Sequence, residues 1–358
     1  MPLVNAPESF DKTAPAGTRD RPVAPIGTHL DLYRPARPKA APCRRAAASG
    51  APSDSVLPPS QDRSNTYFQG IEMNKIWFIT GASSGFGKAL AELVLAAGDC
   101  AVLTARRLES LQDIAAPHGE RALALQLDVT DAAARAAALK AANEKFGRID
   151  VLANIAGAGS YGALEEFTSA QIRAQMELNF FAAAELSREV LPQMRARQSG
   201  HILNLTSIAG LVAFPGSGLY NASKFALEGF TEALHHEVKP FGIRVTLVEP
   251  GAFRTGFAGN AAMKAEQRIA AYAPLDAGMD EYYTTQNGQQ MGDPVKGMQV
   301  VVDMVACDTA PVRLMLGEDA YQLWDGAVAS RNRDLGVWRT RGEDTAIPGA
   351  VKNTAQAL

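Results

Sequence analysis

Lys75-Ile76-Trp77-Phe78-Ile79-Thr80-Gly81-Ala82-Ser83-Ser84-Gly85-Phe86-Gly87 begins with an apolar run and ends in a glycine-punctuated turn. Helical spacing of Ala and Leu then continues to Ala97. A strand, a glycine turn and a helix N-terminus in that order make a phosphate cradle, because the first helical amides and the helix dipole favour an anion. Gly81 permits the tight turn, Gly85 lets the backbone approach a pyrophosphate, and Gly87 allows close packing of helix on strand. The spacing is G-x-x-x-G-x-G rather than G-x-G-x-x-G, and a plain βα connection without a ligand is the competing reading.

A second pattern lies downstream. Tyr220 and Lys224 are one helical turn apart, and Ser207 ends the apolar stretch from His201. A phenol and an ammonium at i and i+4 project from one helix face, so the lysine charge can favour the phenolate and tune the tyrosine as an acid or base. Alone, Y-x-x-x-K more often marks a solvated tyrosine beside a surface lysine.

Together the two patterns resemble the short-chain dehydrogenases/reductases, in the single-domain branch with T-G-x-x-x-G-x-G and Y-x-x-x-K, nearest to 17β-hydroxysteroid and retinol dehydrogenase-like members. Further landmarks match in order: Asp128-Val129 after a strand, Asn154-Ile155-Ala156-Gly157 in place of N-N-A-G, Asn179 in Glu177-Leu178-Asn179-Phe180, and Pro250-Gly251 with Thr255. Ile155 departs from the family's second Asn and puts one local hydrogen bond in doubt. The resemblance implies a Rossmann-like α/β fold, with a doubly wound seven-stranded parallel sheet between helical layers. It also implies an enzyme exchanging hydride between a nicotinamide and a carbonyl or alcohol.

Carried over residue by residue, the resemblance makes Tyr220 the general acid in reduction and the base in oxidation. Ser207 would hold the substrate oxygen, Lys224 would bind the nicotinamide ribose and depress the tyrosine pKa, and Asn179 would anchor a water in a proton relay. The glycine turn, including Ser83, Ser84 and Phe86, would meet the pyrophosphate side, and Asp128 and Val129 the adenine. Asn154, Ala156 and Gly157 would run beside the cofactor, with Pro250, Gly251, Phe253 and Thr255 on its nicotinamide side.

Cofactor choice turns on the end of the second strand, Cys100 to Ala105. A carboxylate there would hold the ribose 2′-hydroxyl of NAD and repel a 2′-phosphate. Ala105 occupies that place, followed by Arg106 and Arg107, whose guanidinium groups suit a phosphate. NADP(H) is therefore the expected cofactor, with NAD(H) the alternative.

Strand-like runs at 75–80, 100–105, 122–128, 150–154, 201–206, 243–249 and 312–316 alternate with helical patterns, the arrangement of a parallel sheet covered on both faces. Long helices are expected near 169–198 and from Tyr220 to about Lys239, where Pro240 intervenes, and a last helix from Asp319 to Arg331. The two long helices resemble those through which the family forms dimers or tetramers. Phe180, Phe181 and Phe214 are expected in the core. The segment 252–295, with Phe253, Phe257, Met263, Tyr272, Met279, Tyr282, Tyr283 and Met291, reads either as a lid over an apolar substrate pocket or as a helical packing layer.

Residues 1–72 hold eleven of the twenty prolines and no apolar periodicity, so they are expected to be a disordered leader, with one domain at 73–341 and a flexible tail at 342–358. Ser64–Gly70 resembles a tobacco-etch-virus protease site but differs from it at two positions, so an engineered scar is one reading and not the favoured one. The favoured alternative is translation from Met73, the position that opens the first strand. Mass spectrometry of native protein should then find an N-terminus at or near Met73, and peptides from residues 1–60 would overturn that expectation.

The formal net charge of −3 and the lack of a basic stripe argue against nucleic-acid binding. Three cysteines without C-x-x-C spacing or a histidine set give neither a disulfide framework nor a metal site. No apolar run reaches membrane-spanning length, so a cytoplasmic enzyme with a small-molecule substrate is expected. The competing classes are a non-catalytic NADP-binding regulator, or a lyase or dehalogenase on the same scaffold.

Overall fold

A computed structural model describes residues 74–350, apart from 258, 260 and 261. The expected leader and residues 351–358 of the expected tail lie outside them. Seven parallel strands form the central sheet: β1 (Ile76–Ile79), β2 (Cys100–Ala105), β3 (Ala122–Gln126), β4 (Val151–Asn154), β6 (Gly200–Leu205), β7 (Ile243–Pro250) and β9 (Arg313–Leu316). Their order is β3-β2-β1-β4-β6-β7-β9, so the chain winds outward from β1 in one direction, then returns to β4 and winds the other way. The two-residue strands β5 (Ser160–Tyr161) and β8 (Met263–Lys264) pair separately.

The helices are α1 (Gly85–Ala96), the single turn α2 (Gln112–Ala115), α3 (Ala132–Phe146), α4 (Ser169–Met176), α5 (Ala182–Arg197), α6 (Gly218–Val238), α7 (Ala273–Thr285), α8 (Pro294–Ala306) and α9 (Glu318–Glu343). Strand pleating explains the layers. Trp77 and Ile79 of β1, with Val151 and Ala153 of β4, pack with α1 and α8, whereas Phe78 and Leu152 pack on the opposite face with α3, α5 and α6. Both faces are apolar because both are covered, which is why the β1 sequence Ile76–Ile79 is a continuous apolar run instead of an alternating one.

Two helices and one residue differ from expectation. The long helix at 169–198 is interrupted by a π-helical turn at Glu177–Phe181, a widening common at functional positions, and Asn179 lies inside it. The last helix continues twelve residues past Arg331, to Glu343, with its second half exposed. Phe181, expected in the core, is 46% exposed, and with Ile172 and Phe225 it leaves an apolar surface on α4 to α6.

Winding in two directions from β1 opens a crevice at the carboxyl ends of the strands. Gly81, Arg106, Asp128, Asn154, Ser207 and Pro250 all lie at those ends. The geometry there follows from short contacts between the strand-end loops.

Candidate active site

The glycine turn is held shut by backbone contacts. Gly81 has φ +68°, and a Cβ on it would lie 3.0 Å from the Cα of Ala156, so the turn after β1 touches the loop after β4. The Thr80 hydroxyl secures that contact by accepting the N–H groups of Ile155 at 2.9 Å and Ala156 at 3.0 Å. A Cβ on Gly87 would lie 2.2 Å from the Gly81 carbonyl oxygen, which is the close packing expected of it. Gly85, with φ +52°, is approached by Thr255, whose Cβ would be 3.0 Å from an added Cβ. The loop after β7 thereby closes over the start of α1. Ser84 precedes the helix in an extended conformation and its side chain makes no capping bond, so among the described residues no side chain of its own cap covers the first amides.

Asn179 uses its amide to fasten two site elements together. Its Nδ2 donates to the Ala158 carbonyl at 2.9 Å and to Ser223 Oγ at 3.0 Å, and its Oδ1 accepts the Ala158 N–H at 3.0 Å. The π-helical turn places this side chain between the loop after β4 and α6. Gly157 sits at the same junction, where a Cβ would be 3.1 Å from Asn179 Oδ1 and 3.7 Å from Lys224 Nζ.

Ser207, Tyr220 and Lys224 meet at the end of β6. Ser207 Oγ accepts the Ala209 N–H at 3.1 Å, donates to the Pro250 carbonyl at 3.4 Å, and lies within hydrogen-bonding reach of the Tyr220 phenol. Lys224 Nζ donates to the Leu205 carbonyl at 2.8 Å and is 5.8 Å from the centre of the Tyr220 ring. Burial pushes the Tyr220 phenol up to about 12, against a lowering from the Ser207 hydrogen bond. It pushes the Lys224 ammonium down to about 8, against a raising by Glu228. The expected depression of the tyrosine by Lys224 is not found: the ammonium bonds to a backbone carbonyl, and burial is the dominant influence on the phenol.

The segment 252–295 contributes a wall. Phe257 packs on Tyr220 with ring centres 5.2 Å apart, and a Cβ on Gly159 would collide with the Phe257 ring. Tyr283 stacks on Tyr161 at 4.1 Å. The segment is anchored beneath by buried Glu166, which accepts the Ile269 N–H at 2.8 Å and pairs with Arg268 at 3.3 Å. Arg268 also meets Asp276 of α7 at 2.7 Å.

Other sequence-predicted residues are placed as follows. Arg106 and Arg107 are exposed at the end of β2, and Ala105 before them is buried. Asp128 accepts the Thr130 N–H at 3.0 Å and hydroxyl at 2.7 Å, which hold its carboxyl below the usual range. Val129 is buried, and its carbonyl accepts from Arg135 at 2.9 Å. The Asn154 side chain turns inward to the Ala183 carbonyl, Ser187 and Asn204, so only its backbone faces the crevice loop. Phe86 and Phe253 are core residues whose rings pack 5.1 Å apart, leaving their backbones as the parts available to a ligand.

Two contributors were not singled out from the sequence. Thr80 appeared only as a motif letter, although it ties β1 to the loop after β4. Asp319, at the start of α9, accepts the Ala252 N–H at 2.7 Å, and a Cβ on Gly251 would lie 2.3 Å from its carboxylate. Its only sequence signal is an acid in a first helical turn, which does not reveal a contact 67 residues away.

The short chain dehydrogenase family profile matches residues 75–266. The chain belongs to this family. It is 38% identical over 268 residues to "Oxidoreductase BOA17" of Botryotinia fuckeliana, covering 75% of this chain and 97% of that protein. It is 42% identical over 187 residues to "3-ketodihydrosphingosine reductase" of Bacteroides thetaiotaomicron, covering 52% and 66% respectively. A short-chain dehydrogenase structure from Streptomyces avermitilis superposes with TM-score 0.70 at 41% identity, over 76% of this chain and all of that one. A Sphingobium yanoikuyae short-chain dehydrogenase in complex with NADPH gives TM-score 0.59 at 26% identity, over 78% and 99%. This short-chain dehydrogenase is thus an oxidoreductase acting on CH–OH groups, with a Rossmann-like nucleotide-binding fold. No described helix is long and apolar enough to cross a membrane, and no described group of His, Cys, Asp and Glu is arranged to hold a metal.

Proposed function

We propose that the enzyme interconverts a medium-sized apolar ketone or aldehyde and its alcohol with NADP(H), using Tyr220 as the proton donor and acceptor. The observation carrying this reading is the meeting of Ser207, Tyr220 and Lys224 at the sheet edge that also holds the glycine turn. The turn suits a nicotinamide dinucleotide, because Gly81, Gly85 and Gly87 pack it tightly and no Ser84 capping bond covers the first amides of α1. When bound, that cofactor supplies or accepts hydride.

The protein orients and handles the proton. Ser207 is placed to donate to a substrate oxygen, and the buried phenol stays protonated until that oxygen develops negative charge. Lys224 brings positive charge beside the ring and would hold a ribose hydroxyl of the cofactor. Phe257 and the Tyr161–Tyr283 stack supply an apolar wall beside the phenol, limiting water at the reacting atoms. The relative named as a 3-ketodihydrosphingosine reductase supports a ketone on an apolar chain as the substrate class.

NADPH oxidation measured against ketones, aldehydes and quinones tests the proposal. Cofactor binding without turnover of any would favour a regulator on the same fold. The NADP(H) preference rests on Arg106 after buried Ala105. Arg106→Ala should raise the KM for NADPH about tenfold or more, from loss of a charge-assisted hydrogen bond to phosphate. An unchanged KM, with NADH still poorly used, would remove Arg106 from that role.

The exposed Ile172, Phe181 and Phe225 support a homodimer or homotetramer through α4 to α6. The absence of a described membrane-spanning helix is compatible with a cytoplasmic location.

A further inference from the structure

One helical turn beyond Lys224, α6 presents Glu228 to Glu249 of β7. Their residues are only 4% and 0% exposed. Arg313 of β9 donates through a single nitrogen to one oxygen of each, at 2.6 Å to Glu249 and in a short contact to Glu228. Its other terminal nitrogen is directed to the more exposed Glu232 at 2.6 Å. Glu228 Oε1 and Glu249 Oε2 have no partner among the described residues, although the two carboxyl groups are within hydrogen-bonding reach of each other. Two buried carboxylates against one shared guanidinium leave an uncompensated charge, whereas one proton between them satisfies an oxygen of each.

We propose that Glu228 and Glu249 share one proton as an acid–carboxylate pair, and that the negative charge of Glu228, one turn along α6 from Lys224, helps to keep that lysine an ammonium. The inference rests on the assignment of Lys224 to the active site. Both residues are positioning residues, acting through Lys224 and through the turn that carries Ser207. A Cβ on Gly210, in that turn, would lie 3.2 Å from Glu228 Oε1, and Glu249 immediately precedes Pro250, whose carbonyl accepts from Ser207.

The ionisable groups around the pair are Lys224 and Glu232 on α6 and Arg313 on β9. The Ser207–Gly210 turn adds none, and Asp319 of α9 is bound to the Ala252 N–H beyond Gly251. Burial, with the neighbouring Glu228, pushes Glu249 up to about 7, against the Arg313 hydrogen bond. Burial brings Lys224 down to about 8. As pH rises through this interval the pair becomes more negative, while loss of the lysine proton would remove positive charge beside it. Release of the pair's proton favours the ammonium, and loss of the lysine proton favours its retention by the pair.

Infrared titration of the ligand-free protein should show a buried carboxylic-acid band at about pH 6 that fades by about pH 9, and Glu249→Gln should remove the band. Nitrogen NMR of the Lys224 ammonium should place its titration about one pH unit lower in Glu228→Gln, because the amide one helical turn away cannot become negative. Absence of the acid band from the wild type overturns the shared proton. An unmoved Lys224 titration in a folded Glu228→Gln overturns the link to the lysine. Should that variant fail to fold, the wild-type Lys224 nitrogen shift, which should respond as the acid band fades, provides the second readout, and no response there overturns the link. Neither readout requires turnover, so their failure is distinguishable from failure of the proposed reaction, which the carbonyl-substrate assay reports.

Discussion

Tyr220→Phe is expected to lower kcat about a thousandfold, within the range associated with removing a positioned general acid or base. NADPH affinity, read by fluorescence titration, should change by less than about threefold, because the variant deletes one hydroxyl and retains the glycine turn. The phenol is suited to carbonyl reduction because burial keeps it protonated, with a pKa of about 12, so a proton is available across the physiological range. The Ser207 hydroxyl is within hydrogen-bonding reach of the same oxygen, and Phe257 covers the ring, leaving no other described phenol bonded to Ser207. A variant retaining a tenth of the wild-type rate would contradict the assignment. The charge on Lys224 predicts the pH dependence: reduction should weaken as pH rises through about 8 and the ammonium is lost, and remain supported below it.

The parts legible in the sequence are local ones. β1 and its turn are contiguous in the chain, so the apolar run and glycine spacing expose them together. Tyr220 and Lys224 are joined by one turn of α6, and the alternation of apolar and helical segments gives the seven main strands. The contacts that finish the site cross long stretches of chain: Thr80 to Ile155 and Ala156, Gly85 to Thr255, and Asp319 to Ala252. Their residue types are ordinary, and only tertiary placement gives them a shared surface. Side-chain direction was equally illegible at Asn154 and Phe253, whose motif positions place backbone at the crevice while packing draws the side chains inward. Phe181 fails as a core residue for the opposite reason, since its apolarity does not say which side of a helix the π-helical turn will present.

Gly87→Ala should reduce stability by about 2–4 kcal/mol, the scale of a severe packing conflict, and lower Tm by roughly 6–12 °C for a domain of this size. The new methyl would meet the Gly81 carbonyl oxygen at 2.2 Å and its carbon at 2.7 Å, and both are backbone atoms. Retreat is restricted on the far side, where Gly81 already lies against Ala156, and by the Ala82 N–H bond to the Thr104 carbonyl at 3.0 Å. Relief therefore requires α1 to move away from the turn, which also displaces the amides that would face a pyrophosphate. NADPH binding should fall with stability, whereas a destabilising change remote from the cradle would not have to affect both. Gly229→Ala provides the contrast: beyond its own stretch of helix backbone nothing lies within 4 Å of the added carbon, its position is an exposed one on α6, and helix propensity predicts a gain of about 0.5–1 kcal/mol. Thermal melts and NADPH titrations of the two variants separate close packing at the cradle from a general effect of glycine replacement. A Gly87→Ala melt within about 1 °C of wild type would mean that the turn can open without the loss expected for a packing conflict.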